Sequence, residues 1–136
     1  ERHGQADQRL ARLARRRNVH LLGWRPYQDL PRYMAGLDVA LLPQLLNDYT
    51  RGMFPMKFFE YLAAGLPIVS TPLDAIRDYR LHYRVAADVT AFLDAIDRIL
   101  QTRPPQLAPD DPVLLENSWD KRLDRMLGII DLEGAR

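Results

Sequence analysis

Arg51, Lys57 and Glu60 are three charged side chains crowded into one short stretch between two apolar runs. The run before them is Asp38-Val-Ala-Leu-Leu-Pro43. The run after them closes the segment Pro55-Met-Lys-Phe-Phe-Glu60-Tyr-Leu-Ala-Ala-Gly65-Leu-Pro-Ile-Val-Ser70. This pattern predicts a buried strand, a polar loop, a helix stopped by glycine and a second buried strand. The charges then fall on the loop and the first turns of the helix. In an open parallel sheet, strand C-termini and helix N-termini converge at that edge, and anionic ligands bind there. The chemistry expected of this cluster is therefore recognition of an anion.

The elements that must position the cluster are legible in the apolar spacing. Residues 5–17 predict a helix with Leu10, Leu13 and Ala14 on one face, closed by Arg15, Arg16 and Arg17, where cations complement the helix dipole. Residues 19–22 predict a short buried strand closed by Gly23. Residues 26–36 predict a helix, with Leu30, Tyr33, Met34 and Leu37 at helical spacing. A strand at 39–42 stops at Pro43, and a loop follows. Residues 56–64 predict a helix with Pro55 at its first turn and Gly65 as its stop. A strand at 68–71, a helical turn at 75–79 and a weak fourth strand at 82–85 come next.

Residues 88–100 predict the clearest helix, striped by Val89, Phe92, Leu93, Ile96 and Leu100. The stretch 101–112 carries Pro104, Pro105, Pro109 and Pro112 and predicts an extended connector. A last helix, capped at Asn117–Ser118, runs to about residue 130 with Trp119, Leu123, Met126, Leu127 and Ile130 as its apolar stripe. Short apolar strands that alternate with helices and lack polar alternation imply a parallel sheet covered on both faces. The fold class is α/β, a doubly wound parallel sheet. The organisation expected is a partial α/β domain over 1–103, a connector over 104–117 and a C-terminal helix over 118–136.

Composition narrows the function classes. At 136 residues, with 47% hydrophobic and 27% charged residues, the chain reads as an ordinary soluble globular domain. A net charge of +1 gives no case for nucleic acid or an anionic membrane surface. There is no apolar run long enough to span a membrane and no signal-peptide pattern. Cysteine is absent, which removes disulfide and thiol chemistry and fits a reducing compartment. Lys57 and Lys121 are the only lysines among 19 basic residues, an arginine bias that points to coding composition. His20 is expected to be buried in its strand, and His3 and His82 have no partner at metal-ligand spacing. No metal site is expected.

From Asn18 to Leu100, and again over Ser118–Met126, the chain resembles the C-terminal, donor-binding half of GT-B fold glycosyltransferases of the retaining family 4 type. The residues that carry the likeness run in the family's order. They are Asn18-Val-His-Leu-Leu-Gly23, Pro26-Tyr27, Leu30, Asp38-Val-Ala-Leu-Leu-Pro43, Asn47, Thr50-Arg51, Pro55-Met-Lys57, Phe59-Glu60-Tyr61 and Ala63-Ala-Gly65-Leu-Pro67-Ile-Val-Ser70-Thr71-Pro72. One departure stands out. Many members carry a glutamate eight positions before the helix glutamate, where this chain has Gly52. The identity of the transferred sugar is open for that reason.

The resemblance implies a ligand, a nucleoside diphosphate-sugar carrying UDP or GDP. It implies a hexosyl transfer with retention, without a cofactor or metal. The acceptor, a glycan or a lipid-linked group, would be held by an N-terminal domain that this chain lacks, so the chain alone should not turn over substrate. The resemblance also implies that the first strand of the sheet is missing. Bacterial polysaccharide biosynthesis is implied, in the cytoplasm or peripheral to the inner membrane.

Glu60 is then the ribose candidate, because one carboxylate accepts hydrogen bonds from two vicinal hydroxyls. The bland alternative is a helix glutamate paired with Lys57 at i+3. Lys57 and Arg51 are the catalytic candidates, stabilising the diphosphate leaving group with backbone N–H groups around Gly52. Arg51 reads equally well as a solvated loop charge. Thr50 and Asn47 are donor-binding candidates or shapers of the loop. Trp24, Arg25 and Tyr27 either contact the base or staple their loop onto the next helix. Two other classes stay open: a non-catalytic α/β interaction module, degenerate or receiver-like, and a sugar-nucleotide epimerase of the same fold.

Three structural expectations follow. Residues 44–55 and the start of the 56–64 helix should form a concave site at the carboxyl edge, shared with Trp24–Tyr27. Strands 19–22 and 38–42 should stand about one strand apart. The last helix should pack back through Trp119, Leu123 and Leu127, with part of its stripe left bare.

Overall fold

The structure, a computed structural model, describes residue 8 and residues 10–134, with side chains described as far as Ile130. His3 and the start of the predicted first helix lie outside the described residues. The chain divides after Leu30 into two units.

In the first unit residues 10–14 are helical and Arg15–Arg17 form the turn that ends the helix. Residues 19–26 hold no regular structure, so the strand expected at 19–22 is not formed. An apolar run becomes a strand only when a neighbour supplies its ladder of N–H and C=O partners. No described residue does so here. Leu21 and Leu22 are about half exposed and His20 is exposed, which corrects the expectation of a buried strand and a buried histidine. With no strand at 19–22, the one-strand spacing expected between it and 38–42 has no counterpart among the described residues. A 3₁₀ turn at Tyr27–Asp29 leads into helix α1 (Leu30–Met34), the observed part of the predicted 26–36 helix.

The second unit is built on a parallel three-stranded sheet. Strands β1 (Ala40–Leu42), β2 (Ile68–Ser70) and β3 (Arg84–Val85) lie in the order β1-β2-β3. Ala40 sits opposite Ile68, and Val69 opposite Arg84. Side chains alternate across the sheet, and both faces are covered. Ala40, Leu42 and Ile68 face one core with Phe58 and Leu62 of helix α3 (Met56–Ala63). Val69 faces the other with Ala86 and Ile99 of helix α4 (Val89–Thr102). A short helix α2 (Asp48–Arg51) lies in the segment read from sequence as loop, between β1 and α3.

The boundaries of these elements have local causes. Asp88 caps α4 by accepting the Ala91 N–H at 2.9 Å. Helix α3 ends at Gly65, whose φ of +69° is left-handed and whose added Cβ would lie 3.1 Å from Cβ of Gln106. The predicted connector contains a further helix, α5 (Pro112–Glu116), with Asp111 accepting the Val113 N–H and proline in its first turn. Leu107, Val113 and Leu114 pack on the α3 core. Helix α6 (Trp119–Gly134) opens with Ser118 accepting the Lys121 N–H at 3.3 Å. Its stripe does not pack back as expected. Trp119, Leu123, Met126, Leu127 and Ile130 are all about half exposed or more, and α6 is held instead through Arg122.

Two outcomes test this core. Truncating Phe58, which has no exposed surface, should destabilise the protein by ~3–5 kcal/mol in urea unfolding. Burial pushes the Tyr83 hydroxyl above its ordinary pKa of 10.0, partly offset by nearby Arg80. The unfolded chain then ionises at lower pH than the folded one. Stability from this group is complete below about pH 10 and is lost as pH rises through the folded value. Tyr83→Phe should flatten that alkaline loss in a pH series of melting temperatures.

Candidate functional site

The carboxyl ends of β1 and β2 are clasped by Thr71. Its N–H donates to the Leu42 carbonyl at 3.2 Å, and its hydroxyl donates to the Gln44 carbonyl at 3.0 Å. Those bonds tie the start of the long loop after β1 to the exit of β2. Beside them lies a cleft of about 250 Å³ lined by Leu46, Asn47, Thr50, Arg51 and Pro72–Asp74. Three of the residues singled out from sequence, Asn47, Thr50 and Arg51, meet there. A hollow of about 340 Å³ lies at the opposite edge, where the connector at Pro104–Ala108 crosses Gly65–Ile68 and Tyr83–Arg84. Helix C-termini point to that edge, which disfavours an anion.

Helix α2 shapes the cleft through a reciprocal cap. The Asn47 side chain accepts the Thr50 N–H at 3.0 Å, and the Thr50 hydroxyl oxygen accepts the Asn47 N–H at 2.9 Å. The Thr50 hydroxyl also donates to the Leu45 carbonyl at 2.6 Å and is buried. As placed, both side chains hold the loop. Arg51 is exposed, 3.1 Å from the exposed Asp48 carboxylate. That pair lies in full contact with water, where such bonds are weak and easily exchanged.

Gly52 follows with φ −93° and ψ −2°, a conformation any residue adopts. A Cβ added there would meet nothing within 4 Å. The fold itself therefore makes no demand for glycine at this point, and the space beside its backbone is open. Helix α3 begins four residues later without any side-chain cap. The N–H groups of a helix's first turn have no acceptor four residues back; here Met56 donates to the Phe54 carbonyl at 3.0 Å and Phe58 to the Pro55 carbonyl at 2.9 Å. Lys57 is exposed in that turn, and Glu60 is half-buried one turn on, on the same face. Neither lines the 250 Å³ cleft.

Trp24, Arg25 and Tyr27 belong to the first unit, and each is exposed. The Arg25 guanidinium donates to the Trp24 carbonyl at 3.2 Å, and Tyr27 opens the 3₁₀ turn. Two residues of this edge were given no role from sequence: Asp74 lines the cleft together with Arg51, and Thr71 ties the two strand exits together. Both could have been found by following the second strand past its carboxyl end. Among the described residues no group of three or more histidine, aspartate or glutamate side chains gathers as metal ligands, and no helix is long and apolar enough to cross a membrane.

Residues 2–102 match the family model described as Glycosyl transferases group 1. The chain belongs to the group 1 glycosyltransferases. Among curated members, it is 32% identical over 92 residues to TuaH of Bacillus subtilis (strain 168), a protein named for glycosyl transfer in teichuronic acid biosynthesis. That match covers 65% of this chain and 23% of the relative. It is 34% identical over 65 residues to the amylovoran biosynthesis glycosyltransferase AmsK of Erwinia amylovora, covering 47% of this chain and 16% of the relative. This group 1 chain thus aligns with about a quarter or less of the length of these relatives. No solved structure gives a significant match.

In this group 1 family member the α2 cap should be separable from the core. Asn47→Ala should lower stability by ~1 kcal/mol in urea unfolding. Amide exchange should quicken at residues 48–51 and stay unchanged in β1 and β2.

Proposed function

We propose that this chain binds the nucleoside diphosphate-sugar donor of a retaining glycosyltransferase at the carboxyl edge of its sheet. The observation that carries the reading is the open space at Gly52, set between the guanidinium of Arg51 and the uncapped first turn of α3. A glycine that the fold does not require suits a backbone approached closely by a ligand. The exposed cations of Arg51 and Lys57 flank it, which suits a diphosphate, and the exposed Asp48 carboxylate beside Arg51 exchanges readily for one.

In this reading Lys57, in the first turn of α3, and Arg51, at the end of α2, take the diphosphate. During transfer the bond between the sugar and the diphosphate breaks, and negative charge grows on the leaving oxygen. Cations already aimed there stabilise that charge more than they stabilise the ground state. Glu60, on the same helix face as Lys57, accepts the two ribose hydroxyls. The donor's base is uracil or guanine. Asn47 and Thr50 act one step back, by holding the loop that carries Arg51. A hexose is transferred to a glycan or lipid-linked acceptor, in bacterial polysaccharide synthesis on the cytoplasmic side. The acceptor is held by a further part of the protein, as the greater length of the relatives suggests.

Two variants separate these roles in calorimetric titrations with UDP, GDP and the matching nucleosides. Glu60→Ala removes a pair of charge-assisted hydrogen bonds worth ~2–4 kcal/mol. It should lower affinity for nucleoside and nucleoside diphosphate alike, by about 30- to 1000-fold. Lys57→Ala should weaken the diphosphate and leave the nucleoside nearly unchanged. Unfolding of Glu60→Ala, with unchanged affinity per folded molecule, would make Glu60 a structural residue and end this assignment.

A further inference from the structure

The segment between Arg51 and Lys57 has one large anchor, Phe54. Its ring stacks on Phe59 with centroids 5.3 Å apart and planes 10° from parallel. The guanidinium of Arg122 lies 4.3 Å from the Phe54 ring centre and 5.5 Å from that of Phe59. The three centres form a triangle with its shortest side between Arg122 and Phe54, so the cation lies beside both rings and nearer Phe54. It also lies 5.8 Å from the Trp119 ring. Arginine suits such a place, because its planar face meets the rings while its N–H edge still donates.

That edge is in use. Arg122 Nε donates to the Asn117 carbonyl at 3.2 Å. The Asn117 side chain donates to the Val113 carbonyl at 2.8 Å and accepts the Tyr79 hydroxyl at 3.1 Å. Tyr79 in turn packs edge-on against Phe59, with ring centres 5.3 Å apart. The network therefore links the corner between α5 and α6 to two points, the Phe54 segment and the inner side of α3. Residues 57 to 60 read Lys-Phe-Phe-Glu. Phe59, which Arg122 and Tyr79 both touch, and Phe58, whose ring centre lies 5.8 Å from that of Tyr79, sit between the two charged residues of the donor site.

We infer that Arg122 is a positioning residue: through Phe54 and Phe59 it holds the 52–57 segment in the shape that receives the donor diphosphate. This rests on the donor-site reading above. Arg122 itself touches no ligand in this scheme. Its effect passes through the aromatic pair, so it should alter the diphosphate part of binding and leave the nucleoside part alone. It also gives α6 a task that its exposed apolar stripe does not explain.

The test uses the whole chain with Arg122→Ala, Arg122→Lys, Phe54→Leu and the double variant Arg122→Ala/Phe54→Leu. Hydrogen exchange at residues 52–57 is read without ligand, and affinities for UDP, GDP, uridine and guanosine are read by calorimetry. Arg122→Ala should speed exchange at 52–57 by about tenfold while β2 keeps its protection. It should weaken the diphosphate that binds by about three- to tenfold and leave its nucleoside unchanged. Arg122→Lys, which keeps the cation on the rings, should recover part of both effects. The double variant should be no worse than the poorer single one, since both act through one contact. Wild-type exchange at 52–57 in Arg122→Ala overturns the inference, and so does equal weakening of nucleoside and nucleoside diphosphate. If the unaltered chain binds neither UDP nor GDP, the donor reading falls, and the exchange result decides by itself whether Arg122 holds the loop.

Discussion

Phe58 has no exposed surface, and what surrounds it fixes the orientation of a whole helix. Its ring meets Phe59 at 5.1 Å, Tyr83 at 5.4 Å and Tyr79 at 5.8 Å, on the face of the sheet formed by Ala40, Leu42 and Ile68. A helix has only one rotation that buries a given ring. With Phe58 and Leu62 turned inward, Lys57 and Glu60 fall on the outer side of the helix, where Lys57 is exposed and Glu60 half-buried. The charged face of α3 is thus a consequence of hydrophobic burial. The aromatic contacts add direction to it, since edge-to-face packing restricts how a ring can turn.

The second constraint is electrostatic and belongs to the backbone. Parallel strands deliver their chain ends to one edge, and the next helix starts there with the positive end of its dipole. Thr71 closes the strand exits, and the Asn47–Thr50 cap folds the loop back over them. The cleft between these two devices is small and polar. It is shaped by short hydrogen bonds inside the loop, which leaves the exposed cation of Arg51 and the bare backbone at Gly52 facing outward.

Much of this was legible in the sequence because the punctuation is strong. Pro55 and Gly65 mark the limits of α3, and Asp88 marks the start of α4 by its cap. Continuous apolar runs at 39–42 and 68–71 have few alternatives to buried parallel strands, and both formed. The run at 19–22 looks the same in isolation, but strand formation depends on a partner that composition cannot reveal. Helices α2 and α5 were missed for a different reason. Both are single turns too short for apolar periodicity, and their signals lie in capping alone: Asn47 three residues before Thr50, and Asp111 immediately before Pro112. The prolines of the connector were read as extended chain, although proline in a helix's first turn is favourable. Clasps and stacks such as Thr71 on Gln44 and Arg122 on Phe54 join residues far apart in the chain, so no local pattern announces them.

Gly65 carries a consequence for anyone who exchanges segments between relatives of this chain. Its left-handed backbone ends α3, and its missing side chain makes room for Gln106. The helix stop and the seat of the connector are therefore one joint, made of two residues some forty positions apart. A chimera that brings in a new connector but keeps the old helix end, or the reverse, inherits half of that joint. Crossover points that keep residues 65 and 106 from the same parent avoid the mismatch. Those that fall between them must repair it with a second substitution.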